Sequence, residues 1–332
     1  MANDPNVGIQ VGSSEYQEHV QAEMEHYTRI FSASNPDGSS STDTLTQWVP
    51  GVWGAVESLA SQRVRERTGD DQIGHVVARM QALKNARVLS LGSGPGGIEL
   101  DIARRARTGE IVCGDLNADL IGMGTERAAQ ERLPIRFQQM DLNTVQLEPE
   151  AYDIVFCHAS LHHMIELDHI AQQIRRTLRP HGVLITVDVI SRNGYLMWPE
   201  TRRIVQAIWK SLPPRLRINH TAYGEIRTDD EIWETDTSES GMECIRSEEI
   251  LPMLNEYFTE VVYVPYFSLC RRFFDTMYGP NYDLRFPLDA AFLNWIWQLD
   301  SHYLDAGILR PETFFGIYSL RLGRPRSCRP SP

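Results

Sequence analysis

Short apolar runs alternate with stretches of helical hydrophobic spacing along most of the chain. The apolar runs predict seven buried strands, at Arg87–Leu91, Glu110–Gly114, Ile135–Met140, Asp153–Cys157, Gly182–Val189, Val261–Val264 and Thr313–Leu320. The helical spacing predicts intervening helices at Ile98–Arg107, Ala118–Arg132, Leu167–Leu178, Ser247–Phe258 and Leu288–Tyr303. Strands that alternate with helices favour a mostly parallel sheet with helices on both faces.

The same pattern divides the chain into five segments. Residues 1–75 are predicted to form an N-terminal helical cap or lid, with helices near 15–31 and 52–67 on either side of a mobile loop at 33–44. We expect an α/β core at 76–190 and an insertion after the fifth strand at 191–246. Residues 247–322 are expected to complete the sheet, and residues 323–332 to form a disordered tail.

Composition narrows the range of partners. The formal net charge of −12 disfavours nucleic acid, because a polyanion is repelled by that average field, and a small-molecule substrate is the better default. The five cysteines are scattered and have no CxxC spacing, so neither a disulfide framework nor a zinc ribbon is expected. With no signal-like or membrane-spanning apolar run, we expect a cytoplasmic protein without a membrane partner. The oligomeric state stays open.

A glycine-rich turn follows the first predicted strand, in the segment V-L-S-L-G-S-G-P-G-G that ends at Gly97. Glycines suit a turn with unusual backbone dihedrals and allow a ligand to approach the main chain. The spacing by itself is ambiguous. Gly92, Gly94 and Gly97 fit the dinucleotide pattern G-x-G-x-x-G, whereas Gly92, Gly94 and Gly96 fit the shorter G-x-G-x-G.

Three further positions follow the next strands. Asp115 ends the second strand, where a carboxylate can accept hydrogen bonds from both ribose hydroxyls. Asp141 ends the third strand between Met140 and Leu142, which suits an adenine amino group and ring. The fourth strand opens into a polar loop, C-H-A-S-L-H-H-M, that begins at Cys157.

Together, these positions resemble the Rossmann-like class I methyltransferases that depend on S-adenosylmethionine, over roughly Val88 to Val189. The resemblance implies S-adenosyl-L-methionine as the cofactor and S-adenosyl-L-homocysteine as the product. It implies cofactor contacts from Gly92, Ser93, Gly94, Gly96, Asp115, Leu116, Met140, Asp141, Leu142 and His158. The chain departs from the family at Ser90, where many relatives carry an acid. The usual contact between that acid and the amino group of the methionine moiety is therefore missing at Ser90.

Methyl transfer is an in-line displacement, so the enzyme mainly has to position the acceptor. His158 is the candidate catalytic residue because it follows the fourth strand at the ligand edge and could act as a base, although it could equally line the cofactor pocket. Candidate substrate contacts come from the His-bearing loop and the insertion: His162, His163, Arg192, Tyr195, Tyr223 and Arg227.

A metal site would need His158 and His162 plus a third ligand such as Glu166, Asp168 or His169. Isolated histidine pairs are more often satisfied by hydrogen bonds, so no metal is expected.

Several functions remain to be weighed. We expect O-methylation of a hydroxyl or carboxyl group on a small molecule, because no Asn-Pro-Pro-Tyr type segment follows the fourth strand. The alternatives are C- or N-methylation of a small natural-product or amino-acid-like substrate, and a non-catalytic cofactor-binding module. A nicotinamide-dependent oxidoreductase is disfavoured because Lys84 and Lys210 are the only lysines, so no Tyr-x-x-x-Lys dyad exists.

Overall fold

A computed structural model describes residues 9–32, 51–220, 227–239 and 241–321. The predicted loop at 33–44, the tail at 323–332 and Tyr223 lie outside the described residues. Nine strands are present in this part of the chain: β1 Arg87–Leu91, β2 Glu110–Asp115, β3 Ile135–Gln139, β4 Tyr152–His158, β5 Leu178–Val189, β6 Ile218–Asn219, β7 Arg227–Thr228, β8 Phe258–Tyr266 and β9 Thr313–Leu320.

Seven of these strands form one sheet in the order β3-β2-β1-β4-β5-β9-β8. Strands β1 to β5 pair in parallel, and β9 runs antiparallel to both β5 and β8. The predicted seven-stranded, mostly parallel sheet is therefore confirmed. The short strands β6 and β7 form a separate antiparallel ribbon within the predicted insertion.

Ten α-helices accompany the strands within the described ranges: α1 Ser14–Ser32, α2 Gly51–Thr68, α3 Gln72–Ala82, α4 Gly97–Ala106, α5 Ala118–Glu131, α6 Leu167–Thr177, α7 Pro199–Trp209, α8 Ile250–Tyr257, α9 Cys270–Phe274 and α10 Pro287–Asp305. Three of these helices, α3, α7 and the short α9, were not predicted from the sequence, although α3 and α7 carry start signals. Asp71 caps α3 by accepting the N–H of Gly74, and Pro199 opens α7. None of the helices in the described ranges is both long and apolar enough to cross a membrane.

The junction between α6 and β5 differs from the prediction. The helix ends at Thr177, and β5 begins at once at Leu178 rather than at Gly182. Leu178 pairs with Tyr152 before the register with β4 shifts, so the proline-containing stretch lies at an irregularity of the strand. The predicted helix Ser247–Phe258 likewise starts later, at Ile250, after a single 3-10 turn.

Alternate residues of the strands supply two apolar cores, one on each face of the sheet. Val88 and Ile154 belong to the first core, whereas Leu89 and Val155 belong to the second. Helix α2 joins the first core through a fully buried stripe that includes Val56. Helix α1 instead contributes Tyr16 to a separate, smaller apolar cluster, so α1 and α2 contact different parts of the molecule.

The topology brings the functional candidates to one edge. Parallel strands β1 to β5 all end at the same side of the sheet, and β8 ends there too because β9 is antiparallel to both β5 and β8. Ligands of open α/β sheets bind at this carboxyl edge.

Candidate functional site

The turn between β1 and α4 has the backbone of a ligand cradle. Gly92, Gly94 and Gly96 have φ values of 69°, 55° and 74°, in the left-handed region that favours glycine. A Cβ at Gly92 would lie 2.5 Å from the Cβ of Ser160, and one at Gly96 would lie 2.4 Å from the ring of Phe137. All three glycines are required by the local backbone, and two also by close neighbours.

Gly97 is different, and this resolves the ambiguity of the motif. Its φ is not positive, and a Cβ added to it would meet no atom of the described part of the chain within 4 Å. The dinucleotide pattern uses its third glycine for close helix–strand packing, which Gly97 does not show. The structure therefore favours the spacing of Gly92, Gly94 and Gly96 over the spacing that ends at Gly97.

Asp115 closes the glycine loop from the end of β2. Its Oδ2 accepts the N–H of Gly94 at 2.7 Å, and its Oδ1 accepts the N–H of Asn117 at 2.9 Å. Burial raises the pKa of Asp115, and these backbone N–H groups oppose that rise. Because a carboxylate offers about four lone pairs, ribose hydroxyls could still bind here.

The end of β3 forms the neighbouring wall. Met140 and Leu142 are buried, and the N–H of Met140 donates to the carbonyl of Asp115 at 2.7 Å. Asp141 between them accepts the N–H of Asn143 at 2.9 Å. The predicted contact residues Ser93 and Leu116 lie in the same region, one inside the glycine loop and one directly after Asp115.

An acid that sequence analysis missed lies behind the glycine loop. Ser90 Oγ donates to Glu99 Oε1 at 2.5 Å, and both residues are almost fully buried. Burial raises the pKa of Glu99 to about 7. Helix α4 thus supplies a carboxyl group beside the position where Ser90 replaces the acid of many relatives. A glutamate in the first turn of the helix after the loop was the available signal.

His158 ends β4 at the carboxyl edge. Burial lowers the pKa of its imidazole to about 4, so the ring is neutral at pH 7. The next residue, Ala159, has a φ of 52°, which turns the chain sharply away from the strand. His158 is therefore placed at the ligand edge as a neutral and weakly basic group.

Asp188, near the end of β5, organises the loop that follows His158. Its carboxylate accepts backbone N–H groups from four residues: Ser160, Leu161, His162 and Val189. It also lies 2.6 Å from Nδ1 of His162. Sequence analysis missed Asp188, although a lone acid inside an apolar strand was a signal.

His162 sits between two carboxylates. Burial by itself lowers its pKa, but Glu243 and Asp188 raise that pKa to about 10, so the ring is a cation at pH 7. His162 Nε2 lies 3.5 Å from Glu243 Oε1. This position makes His162 a structural cation rather than a free substrate contact.

A metal ion could be held close by, with a ligand set other than the one considered from the sequence. Donor atoms of His162, Glu243 and Cys244 lie within 4.8 Å of one another. His169 instead bonds the carbonyl of Val145 at 2.8 Å. The ion pairs of His162 with Asp188 and Glu243 explain why these side chains lie close together without a metal ion.

Helix α1 crosses the same edge. Tyr16 OH lies 3.0 and 3.1 Å from the two oxygens of Asp141, and Asn117 Nδ2 donates to the carbonyl of Met24 at 3.0 Å. Glu23 lies 2.6 Å from Nδ1 of His163. These contacts tie α1 to the ends of β2, β3 and β4.

The substrate candidates of the insertion are only partly brought together. Tyr195 lies under the guanidinium groups of Arg271 and Arg272, whose Cζ atoms are 4.7 and 4.4 Å from the ring centroid. Arg192 directly precedes the short 3-10 turn Asn193–Tyr195, and its side chain does not cap that turn. Arg227 instead pairs with Asp229 on the β6–β7 ribbon, at 2.7 Å, and the structure does not bring it to the glycine loop.

Comparison with known proteins agrees with this geometry. The methyltransferase domain family matches residues 88–182, from the second residue of β1 into β5. The chain is 27% identical over 132 residues to a sterol 4-C-methyltransferase from Caenorhabditis elegans, and the match covers 36% of each protein. It is 28% identical over 141 residues to a trans-aconitate 2-methyltransferase from Variovorax paradoxus, covering 42% of this chain and 49% of that protein.

A solved structure with a similar arrangement is the geranyl diphosphate C-methyltransferase from Streptomyces coelicolor A3(2). The identity is 14%, the coverage is 75% of this chain and 78% of that chain, and the TM-score is 0.45. The chain spans less than half the length of the sterol and trans-aconitate methyltransferases that it matches.

The matched domain, the sheet order and the glycine loop define the class of protein. Residues 88–182 match the methyltransferase domain family, and over this part of the chain the protein is similar to class I methyltransferases that depend on S-adenosylmethionine. The family resemblance seen in the sequence over roughly Val88 to Val189 includes the whole segment that matches this domain family.

Proposed function

We propose that the whole protein transfers the methyl group of S-adenosylmethionine to a small-molecule acceptor. The observation that carries this proposal is the glycine loop, whose three glycines have left-handed backbone and lie directly beside Asp115. Glycines with that geometry allow a ligand to approach the backbone, and the neighbouring helix N-terminus offers free N–H groups.

Each part of the cofactor then has a proposed partner. The ribose hydroxyls bind Asp115, and the adenine lies between Asp141 and the apolar side chains of Met140 and Leu142. The methionine end lies against the glycine loop, where its ammonium group faces the carboxylate of Glu99. This last contact replaces the acid that Ser90 lacks, since the two side chains already share a hydrogen bond.

O-methylation of a hydroxyl group or carboxyl group is the proposed reaction. In this proposal the acceptor meets the methyl group beside His158, whose neutral imidazole can accept a hydrogen bond from a hydroxyl. Methylation at carbon is the second candidate, because one matched relative is a sterol 4-C-methyltransferase.

Helix α1 is proposed to be the lid of the cofactor site. Tyr16 contacts the acid proposed for adenine, and Glu23 contacts the histidine loop, so the helix would cover bound cofactor. Excluding water at this edge would strengthen the electrostatic contacts that hold the reactants.

The central test is cofactor affinity after Asp115→Ala. We expect the Kd for S-adenosylhomocysteine, measured by calorimetry, to rise about 10- to 100-fold, because hydrogen bonds to a charged group are lost. Asp115→Asn keeps one acceptor oxygen, so its Kd for S-adenosylhomocysteine should lie between the values for the wild type and for Asp115→Ala. Asp101→Ala is the matched control, since this acid lies exposed on α4 and pairs with Arg105. Unchanged affinity in Asp115→Ala would remove the proposal.

A further inference from the structure

One arginine at the carboxyl edge differs from its neighbour on the same helix. Arg272 pairs with the buried carboxylate of Glu312 at 2.8 Å. Arg271, beside it on α9, has no hydrogen-bond acceptor or ion-pair partner for its guanidinium among the residues that the structure describes. A guanidinium carries five N–H donors, and the side chain of Arg271 is partly accessible, so a ligand could reach these donors.

Two aromatic rings hold Arg271 in place. Its Cζ lies 4.7 Å from the ring centroid of Tyr195 and 5.7 Å from that of Trp53. Cation–π attraction of this kind fixes the position of a guanidinium but uses none of its N–H donors. Arg271 is therefore positioned by its neighbours while its hydrogen-bonding capacity remains available.

The position lies on the same edge as the cofactor loop. Helix α9 follows the end of β8, and Tyr195 follows the end of β5. Trp53 reaches this edge from α2, where its ring centroid lies 5.8 Å from that of Phe267. All three side chains are partly accessible, unlike the buried Arg272. An acceptor that reaches His158 at this edge could extend to Arg271.

We propose that Arg271 binds a carboxylate group of the methyl acceptor, between Trp53 and Tyr195. A planar guanidinium matches a carboxylate with two parallel hydrogen bonds. This inference rests on the proposed function, and it names the substrate class as a small organic acid. It also replaces Arg192 and Arg227, the arginines that sequence analysis nominated.

The surrounding charges favour a monoanion. Glu243 and Glu57 both interact electrostatically with Arg271. A dianionic phosphate would meet more repulsion from these acids than a carboxylate would. Because both oxygens of the bound carboxylate would accept hydrogen bonds from the guanidinium, their lone pairs would be less available to attack the methyl group. It would serve as a handle, and a second group of the acceptor, such as a hydroxyl, would receive the methyl.

The test uses defined probes, because the acceptor is unidentified. Benzoate and phenylacetate are titrated by calorimetry into the full chain, with and without saturating S-adenosylhomocysteine, alongside benzamide, phenylacetamide and phenyl phosphate. We expect a carboxylate to bind at least about 10-fold more tightly than its amide, and Arg271→Gln to remove that difference. Arg271→Lys, which keeps the charge without the planar fork, should restore part of it.

Arg310→Gln is the matched control. Arg310 also lies over a ring, 3.7 Å from the centroid of Trp198, but it is paired with Glu200. We expect this variant to bind benzoate as the wild type does. Unchanged affinity for S-adenosylhomocysteine in Arg271→Gln would show that this variant is folded. If Arg271→Gln does not fold, the carboxylate preference of Arg271→Lys is compared with that of the wild type instead.

Three outcomes would overturn the inference. They are equal binding of carboxylates and amides by the wild type, an unchanged preference in Arg271→Gln, and tighter binding of phenyl phosphate than of either carboxylate. The proposed function fails separately, if S-adenosylhomocysteine does not bind the wild type. Carboxylate binding that depends on Arg271 could still be observed in that case.

Discussion

Glu99 is the residue whose protonation should couple cofactor binding to pH. Burial raises its pKa to about 7, so the fraction that is a carboxylate increases between pH 6 and pH 8. A methionine ammonium group needs that carboxylate form. We expect the affinity for S-adenosylhomocysteine to rise across this range by about 10-fold or less in the wild type and to be flat in Glu99→Gln. Calorimetry at several pH values measures this, and parallel pH profiles would contradict the contact.

Glu99 should also make the folding stability of the cofactor-free protein decrease with rising pH, whereas cofactor affinity increases. An acid whose pKa is higher in the folded state binds more protons when folded, so the stability of the protein without cofactor decreases as pH rises from about 4.5 to about 7. Glu99→Gln should remove that contribution, which urea unfolding at several pH values would detect.

His158 gives a second prediction at this scale. Because burial lowers its pKa to about 4, we expect its imidazole to stay neutral above about pH 5. A pH titration of the ring signals by NMR, assigned with His158→Gln, should show a midpoint near 4. A midpoint close to the ordinary histidine value of about 6.5 would contradict the prediction, because it would mean that the ring is solvated. His158 could then act as an effective general base near neutral pH.

At the scale of secondary-structure elements, the attachment of α1 to the sheet depends on the side chain of Tyr16. The hydroxyl of Tyr16 is buried between Asp141 and Asn143, and it ties the start of the helix to the end of β3. We expect Tyr16→Phe to reduce the hydrogen-exchange protection of α1 by roughly 10-fold, since a hydrogen bond to a charged group is lost. Bound cofactor should partly restore that protection.

Gln21→Ala is the control for this element. Gln21 lies on the exposed face of α1, and among the residues that the structure describes its side chain bonds only to Glu25 of the same helix. Its replacement should leave the exchange of α1 nearly unchanged. If Tyr16→Phe behaves like this control, Tyr16 does not hold the helix, and the lid proposal loses its main contact.

At the scale of the whole molecule, distant segments fix the position of α9. The carboxylate of Asp300 on α10 accepts the N–H groups of Ser268 and Cys270 at 3.1 and 2.9 Å, just before Arg271. Arg63 on α2 donates to the carbonyl of Pro265 at 2.9 Å. The edge around Arg271 is therefore assembled from parts of the chain that are up to about two hundred residues apart.

The predicted segment boundaries at 75, 190 and 246 remain predictions. Helix α1 crosses the cofactor edge, whereas α2 belongs to the first core and contributes Trp53 to the proposed acceptor site. The insertion likewise reaches the histidine loop through Glu243. A segment defined along the sequence thus contributes to several regions of the fold.

The sequence by itself determined the sheet and the glycine loop of this protein. These features depend on neighbours along the chain: strand alternation, the glycine spacing after β1, and the acids Asp115 and Asp141 at strand ends. Backbone dihedrals and hydrophobic periodicity are local properties, so they can be read from a short segment. Some short-range features were nevertheless missed: the helices α3, α7 and α9, and the Ser90–Glu99 pair.

Only the tertiary structure decided which side chains meet at the edge of the sheet. It turned His162 into a buried cation between Asp188 and Glu243, and it placed Arg271 between Trp53 and Tyr195. Charge states and ligand contacts depend on burial and on through-space neighbours, which sequence spacing does not specify. For that reason the methyl donor can be recognised from the sequence, whereas the proposal for the acceptor needed the fold.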